Sequence, residues 1–261
     1  MSGAGGLDDA LANRRWLLRS DPFPHVVARH VFRPEVYAGI EAGFRDLLDR
    51  VLGRSYLEDH DIHGTTVTAR EADRFGPLLT RGWHDMLTSI FDVQATGQVL
   101  CGLHHHKVGS NDSFPHNDLN LGWFGGEAAP GQIELSSPHT VDYLTGKALA
   151  DGATPVAAVR AVAMIFYLAN PPWSVGDGGV TGVYRKGSDP VHRPALRVPP
   201  VNNSLFAFEC TPRSYHGFIG NRRHPRNSIV LWLHRPKEVV TARWGEGAIV
   251  PYGLRPRAKA R

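Results

Sequence analysis

Apolar and polar positions alternate along this chain with two textures. In the first, apolar residues recur at helical spacing. Val36, Ile40, Phe44, Leu47, Leu48 and Val51 give one apolar face to a helix that starts at Pro34, a proline suited to a first turn. Leu79, Trp83, Met86, Leu87 and Ile90 predict a second such helix. Residues 8–19 predict a short helix, and His25 to Phe32, after Pro24, a strand. From about residue 98 the texture changes to short apolar runs broken by Gly, Pro and Asn. These predict strands at 98–106, 115–121, 159–169, 179–185, 204–209, 214–218 and 228–234. Ala161 to Leu168 is nearly continuous apolar sequence, the pattern of a strand buried on both faces. The fold class is therefore mainly β with flanking helices, a sandwich or a barrel. The stretch from Gly122 to Ala158 is long and weakly periodic. It is expected to act as a lid or substrate-binding segment, with Glu127, Glu134, His139, Asp142 and Tyr143 facing a polar substrate. The bland alternative is a surface excursion packed on the barrel.

Composition narrows the function classes. At 261 residues, 42% hydrophobic and 9% aromatic, the chain can bury a substantial core as one domain. The expected division is helical support over 1–97, a β core over 98–241 and a basic tail over 251–261. No run of eighteen apolar residues exists, so no membrane span is expected. Met1 to Asp9 is small and acidic rather than basic then apolar, unlike a secretory signal. Cys101 and Cys210 lie in apolar runs and read as buried thiols of a cytoplasmic protein. The net charge of +4 is scattered, with Arg255, Arg257, Lys259 and Arg261 concentrated in the tail. No nucleic-acid motif accompanies it, so nucleic acid is not an expected partner. Oligomeric state stays open.

The informative chemistry is His116 and Asp118, in Phe114-Pro115-His116-Asn117-Asp118. On a strand, side chains two apart point the same way. A second histidine from a distant strand, His216, completes a face of two imidazoles and one carboxylate. Such a set, open on its other side, suits non-haem Fe(II) that must bind a co-substrate and O2. Arg226 adds a permanent cation for an anionic co-substrate.

The ordered set His116-x-Asp118, Phe166-Tyr167-Leu168-Ala169-Asn170, Gly178-Gly179-Val180-Thr181, His216 and Arg226-x-Ser228 resembles the Fe(II)/2-oxoglutarate-dependent dioxygenases, in their prolyl-4-hydroxylase-like branch. The opening Asp21-Pro22-Phe23-Pro24-His25-Val26-Val27 is similar too. The resemblance covers about residues 98–236, with a weaker echo at 21–50. It implies a double-stranded β-helix, also called a jelly-roll, with His116, Asp118 and His216 as iron ligands. It implies that Arg226 pairs with the distal carboxylate of 2-oxoglutarate through a bidentate fork, aided by Ser228. The family often places a tyrosine against 2-oxoglutarate where this chain has His106, a departure. Within His104-His105-His106, His104 and His106 share a face. A polar cavity-lining pair is one reading of them and a second metal site another. Asn120, Trp123, Tyr167 and Thr181 are candidates to face substrate, although strand aromatics are core first. A carboxylate at position 118 occupies the place that related halogenases leave open for chloride. It argues for hydroxylation, or a desaturating or cyclising variant. The implied reaction converts 2-oxoglutarate and O2 to succinate and CO2 while hydroxylating a C–H bond. The expected substrate is a small molecule, an amino acid or biosynthetic intermediate. The alternatives are a prolyl-type hydroxylase acting on a cytosolic protein, a non-catalytic metal-binding jelly-roll protein and a hydrolytic zinc enzyme. The Arg226-x-Ser228 clamp argues against the metal binder.

Overall fold

The computed structural model describes residues 6–52, 56–57 and 62–251. Its strands are β1 (Leu18–Arg19), β2 (His25–Arg29), β3 (Tyr56–Leu57), β4 (Ile62–Thr66), β5 (Gln98–His106), β6 (Leu121–Phe124), β7 (Glu134–Leu135), β8 (Val156–Tyr167), β9 (Thr181–Val183), β10 (Leu196–Val198), β11 (Ser204–Glu209), β12 (His216–Phe218) and β13 (Arg226–Arg235). The helices are α1 (Leu7–Ala10), α2 (Pro34–Val51), α3 (Arg81–Ile90) and α4 (Lys237–Trp244). Two 3-10 turns lie at Ala72–Leu79 and Glu246–Ala248.

The major sheet runs β1-β2-β11-β8-β13-β5-β4-β3, with β6 on β8 and β7 on β5. The minor sheet runs β10-β9-β12. Alternation along the central strands sorts their side chains. Cys101 and Leu103 of β5, Met164 and Phe166 of β8 and Leu231 of β13 pack with Phe44 and Leu47 of α2 and Trp83 and Leu87 of α3. The intervening residues Ala163, Ile165, Tyr167, Val230 and Trp232 pack inward with Val183 of β9 and Val198 of β10. β8 is thus covered on both faces, as its unbroken apolar run predicts. Each such fully buried aliphatic or aromatic side chain contributes about 1.5–3 kcal/mol. The two sheets enclosing the inner cluster form the jelly-roll, a double-stranded β-helix.

Some expected elements differ. The helix expected over 8–19 ends at Ala10. Ala12 instead donates to the Val31 carbonyl and Arg33 to Ala10, so strand-like pairing across Leu11 and Phe32 replaces further helical turns. The strand expected over 115–121 is absent: His116 makes one isolated bridge, and β6 starts only at Leu121. The minor-sheet strands are shorter than expected, and the 72–79 turn and α4 were unforeseen. Cys101 and Cys210 are free and buried. Among the described residues no helix is long and apolar enough to cross a membrane. Apart from Pro251, the expected basic tail lies outside the described residues.

Candidate active site

The minor sheet places the first pair of groups. His116 and His216 exchange backbone hydrogen bonds, His116 N to His216 O at 2.9 Å and His216 N to His116 O at 2.8 Å. Their rings consequently stand side by side, centroids 4.4 Å apart. Asp118 does not reach them by strand alternation. Its φ of 59° is left-handed, and Asn120 N donates to its carbonyl at 2.8 Å. A tight turn therefore brings the carboxylate back under the rings. Aspartate is among the few non-glycine residues that tolerate this backbone. One ligand atom from each of His116, Asp118 and His216 lies within 4.8 Å of the others, a group able to hold a metal ion.

The surroundings prepare these atoms for a cation. His116 Nδ1 faces the Phe114 carbonyl at 2.9 Å and His216 Nδ1 the Ser214 carbonyl at 3.2 Å. Each carbonyl selects the tautomer with the proton on Nδ1, leaving the Nε2 lone pair for a metal. Burial, then the neighbouring His116, lowers the His216 pKa to about 4, so its ring is neutral at ordinary pH. Burial works against ionisation of Asp118, but Arg160, the two neighbouring histidines and the Trp232 hydrogen bond together outweigh it and hold the carboxyl well below the usual range. Arg160 Nη1 donates to Asp118 Oδ1 at 2.8 Å, and Trp232 Nε1 donates to Asp118 Oδ2 at 2.7 Å. The guanidinium carbon of Arg160 sits 4.1 Å from the Trp232 ring centre. Two imidazole Nε2 atoms, an ionised carboxylate and fixed outer partners make a donor set that fits Fe(II).

A second cluster lies at the other wall of the same cavity. β13 pairs Arg226 with His106 of β5, and Ser228 with both His104 of β5 and Tyr167 of β8. Arg226 is buried, with Nη2 at 3.2 Å from Thr181 Oγ1. Tyr167 hydrogen-bonds the same Thr181 hydroxyl at 2.7 Å. The Arg226 Nε and the Ser228 Oγ are buried without a hydrogen-bond partner. Two orphaned donors beside a buried cation fit a carboxylate ligand. His106 stacks on Phe218, ring centres 3.9 Å apart, and both rings line the cavity.

The cavity measures about 430 Å³. His104, His106, His116, Asn120, Asp118, Arg160, Thr181, His216, Arg226 and Trp232 are among its walls, with Ile62 and Val250–Pro251 also on its lining. Asn120 is doubly engaged, donating to the Val250 carbonyl at 2.8 Å and accepting from Arg160 at 3.3 Å. His105 turns away to Asn227, at 2.7 Å, as alternation predicts. Trp123 does not reach the cavity; its ring packs against Gly146. Tyr167 and Ser228 lie behind the lining rather than on it. The lid expectation fails: no residue from Leu121 to Ala158 lines the cavity. That segment is held to the barrel instead, by β7 along β5 and by Tyr143. The triplet's second-metal reading gains nothing, since His116, Asp118 and His216 are the one such group among the described residues.

Sequence reasoning missed Arg160 and Trp232. Both had a signal. Arg160 is the one charge inside the apolar run of β8, and Trp232 shares the period-two face of Arg226 and Ser228.

Residues 139–234 match the family described as the 2OG-Fe(II) oxygenase superfamily. The matched stretch carries His216 and Arg226; His116 and Asp118 precede it and join them through the geometry above. Over that stretch, about a third of its length, the chain resembles the 2OG-Fe(II) oxygenase superfamily. This chain's donor set fits the Fe(II) that members of that superfamily use with 2-oxoglutarate and O2. The chain's fold is that of prolyl-hydroxylase structures. A prolyl-4-hydroxylase of Pseudomonas putida superposes with a TM-score of 0.51 at 14% identity, over 81% of this chain and 92% of that one. A Trichoplax adhaerens prolyl hydroxylase, solved with a hypoxia inducible factor oxygen degradation domain peptide fragment, gives 0.50 at 12% identity, over 84% and 86%. At these identities the likeness is one of fold. No curated protein matches the chain.

Proposed function

We propose that this protein is an Fe(II)- and 2-oxoglutarate-dependent oxygenase that hydroxylates an unactivated C–H bond of a small molecule, an amino acid or biosynthetic intermediate, held beside His116, Asp118 and His216 as iron ligands. When bound, Fe(II) with 2-oxoglutarate and O2 supplies the oxidising chemistry, and succinate and CO2 are the co-products. The chain's own work is binding, orientation and exclusion of water. His116 and His216 present Nε2 because backbone carbonyls hold their Nδ1 protons. Arg160 and Trp232 fix both oxygens of Asp118. Arg226 takes the distal carboxylate of 2-oxoglutarate, with Thr181 as hydroxyl partner on the cavity wall, the orphaned Ser228 hydroxyl behind it and His106 as the flanking wall. Asn120 lies between the metal ligands and Val250, where it can meet substrate. Trp123 and Tyr167 have no direct role in this reading. A carboxylate at Asp118 favours hydroxylation, desaturation or cyclisation over halogenation. A catalytic core over 98–241, supported by 1–97 in one domain, and a cytoplasmic site of action complete the proposal.

The observation that carries the small-molecule reading is the cavity. At about 430 Å³ and lined from within the jelly-roll, it lies in the range of small-ligand pockets. The fold-level likeness to a hydroxylase bound to a peptide supports a second reading, a protein substrate. Succinate formation from 2-oxoglutarate separates them when the protein is offered amino acids and metabolites in one pool and proline-containing peptides in another. The proposal expects substrate-stimulated succinate and an added oxygen in the first pool. Stimulation by peptides alone would overturn it.

A further inference from the structure

The segment between β6 and β8 leaves the cavity alone, yet it reaches the ligand cluster through one hydroxyl. The Tyr143 hydroxyl is 2.8 Å from His234 Nε2 and 3.2 Å from Arg160 Nε. Arg160 Nη1 continues to Asp118 Oδ1 at 2.8 Å. The direction of each bond is set. His234 Nδ1 faces the Gln98 carbonyl at 3.1 Å, so Nδ1 carries the proton and Nε2 accepts. Burial first, and then the charge of Arg160, lowers the His234 pKa to about 3, which keeps the ring neutral. Tyr143 must therefore donate its O–H to His234, and this turns a lone pair toward the Arg160 Nε–H. The arginine is long and has many rotamers, so an anchor at Nε decides where its Nη1 points.

The segment is built to hold Tyr143 there. Gln98 Nε2 donates to the Gly126 carbonyl at 2.9 Å, and Glu134 N donates to Gly97 O at 3.0 Å. Trp123 N donates to Tyr143 O at 3.0 Å. Gly122 is needed beside it, because a Cβ at that position would overlap the Tyr143 ring.

We propose that Tyr143 is a positioning residue for the metal centre: it braces Arg160 and so sets the orientation in which Asp118 meets iron. The inserted segment is thus a brace for the site rather than a lid over it. The proposal rests on the reading of His116, Asp118 and His216 as the iron ligands.

The test is anaerobic Fe(II) titration by calorimetry, with Co(II) absorbance as a reporter of ligand geometry. Loss of an outer-sphere partner typically weakens metal binding about 10–100-fold. Tyr143→Phe, which removes one hydroxyl, is expected to raise the Fe(II) Kd about tenfold and to alter the Co(II) spectrum. Gly122→Ala, which displaces the ring without deleting a polar group, should do the same. In an Arg160→Lys background, which has no Nε to brace, Tyr143→Phe should add less than about twofold. Leu149→Ser, an exposed change in the same segment, should leave Kd and spectrum unchanged. A folded Tyr143→Phe protein with wild-type Kd and spectrum overturns the brace. So does an equal tenfold loss with and without the arginine. Absence of Fe(II) binding by the wild-type chain overturns instead the ligand reading beneath it.

Discussion

Replacing Arg226 with methionine should stabilise the metal-free protein and cripple it for 2-oxoglutarate at the same time. Arg226 is 4% exposed, and burial lowers its pKa. Among the described residues no carboxylate pairs with it; its neighbours are the Thr181 hydroxyl and the Tyr167 and Phe218 rings, both with centres 5.3 Å away. A buried guanidinium so placed bears a desolvation penalty of several kcal/mol that its neutral neighbours only partly offset. A methionine of similar length removes the penalty and packs against the same two rings. Exchanging buried charge for well-packed apolar side chains yields about 1–4 kcal/mol in comparable sites. In a chain of this size each kcal/mol moves the thermal midpoint by roughly 2–4 °C, so a rise of at least a few degrees is expected without ligand. The same change removes the cation proposed to hold the 2-oxoglutarate carboxylate. Truncating one member of a buried charge pair costs about 2–5 kcal/mol of binding, or about 30-fold to a few thousandfold in Kd. Scanning calorimetry of the metal-free protein and anaerobic 2-oxoglutarate titration of the metal-loaded protein check the two halves, with Fe(II) affinity as control. Unchanged 2-oxoglutarate affinity in a folded variant would refute the assignment. A lower midpoint would refute the claim that the cation is held against a folding penalty.

The metal-free protein should lose stability on acidification. His216 and His234 have folded pKa values of about 4 and about 3, against 6.5 unperturbed, so the unfolded chain takes up protons first as pH falls. Their contribution is complete above the unfolded value and is lost downward from it, until pH passes the folded values. The slope is about 1.4 kcal/mol per pH unit for each histidine. Thermal midpoints from pH 7 to 4.5 should fall accordingly, and less steeply in His234→Gln; a flat profile would contradict the burial argument. Phe166→Ala should cost about 3–5 kcal/mol in denaturant unfolding, because that ring is fully buried between the sheet and Phe32 and Tyr37. A loss under about 1 kcal/mol would mean that α2 does not pack on β8 as described.

How far the sequence could be read depended on whether local pattern or tertiary contact decided the outcome. The apolar run of β8 and the helical face from Val36 to Val51 are local patterns, and both elements formed as expected. His116, Asp118 and His216 do converge, but the expected reason was wrong. The convergence needs a left-handed turn at Asp118 and a backbone bridge between the histidines, neither of which is written in alternation. The short helix expected over 8–19 yielded to pairing with residues 31–33, a long-range contact that propensity does not see. The segment after Gly122 was misread because length and turn residues mark irregular chain without saying which face it covers. In the sequence Tyr143 reads as a polar group for substrate, whereas its partners are Arg160 and the distant His234. Arg160 was legible in principle, as a charge inside an apolar strand demands a buried partner.

The proposed function requires iron at His116, Asp118 and His216 with 2-oxoglutarate anchored at Arg226. Anomalous diffraction at the iron edge, from crystals grown anaerobically with Fe(II) and 2-oxoglutarate, would locate both. One iron peak is expected about 2.0–2.2 Å from His116 Nε2, His216 Nε2 and an Asp118 oxygen, distances usual for such donors. The distal carboxylate of 2-oxoglutarate is expected at the Arg226 guanidinium. An iron peak away from these three side chains, or a carboxylate bound by another cation, would contradict the proposed function.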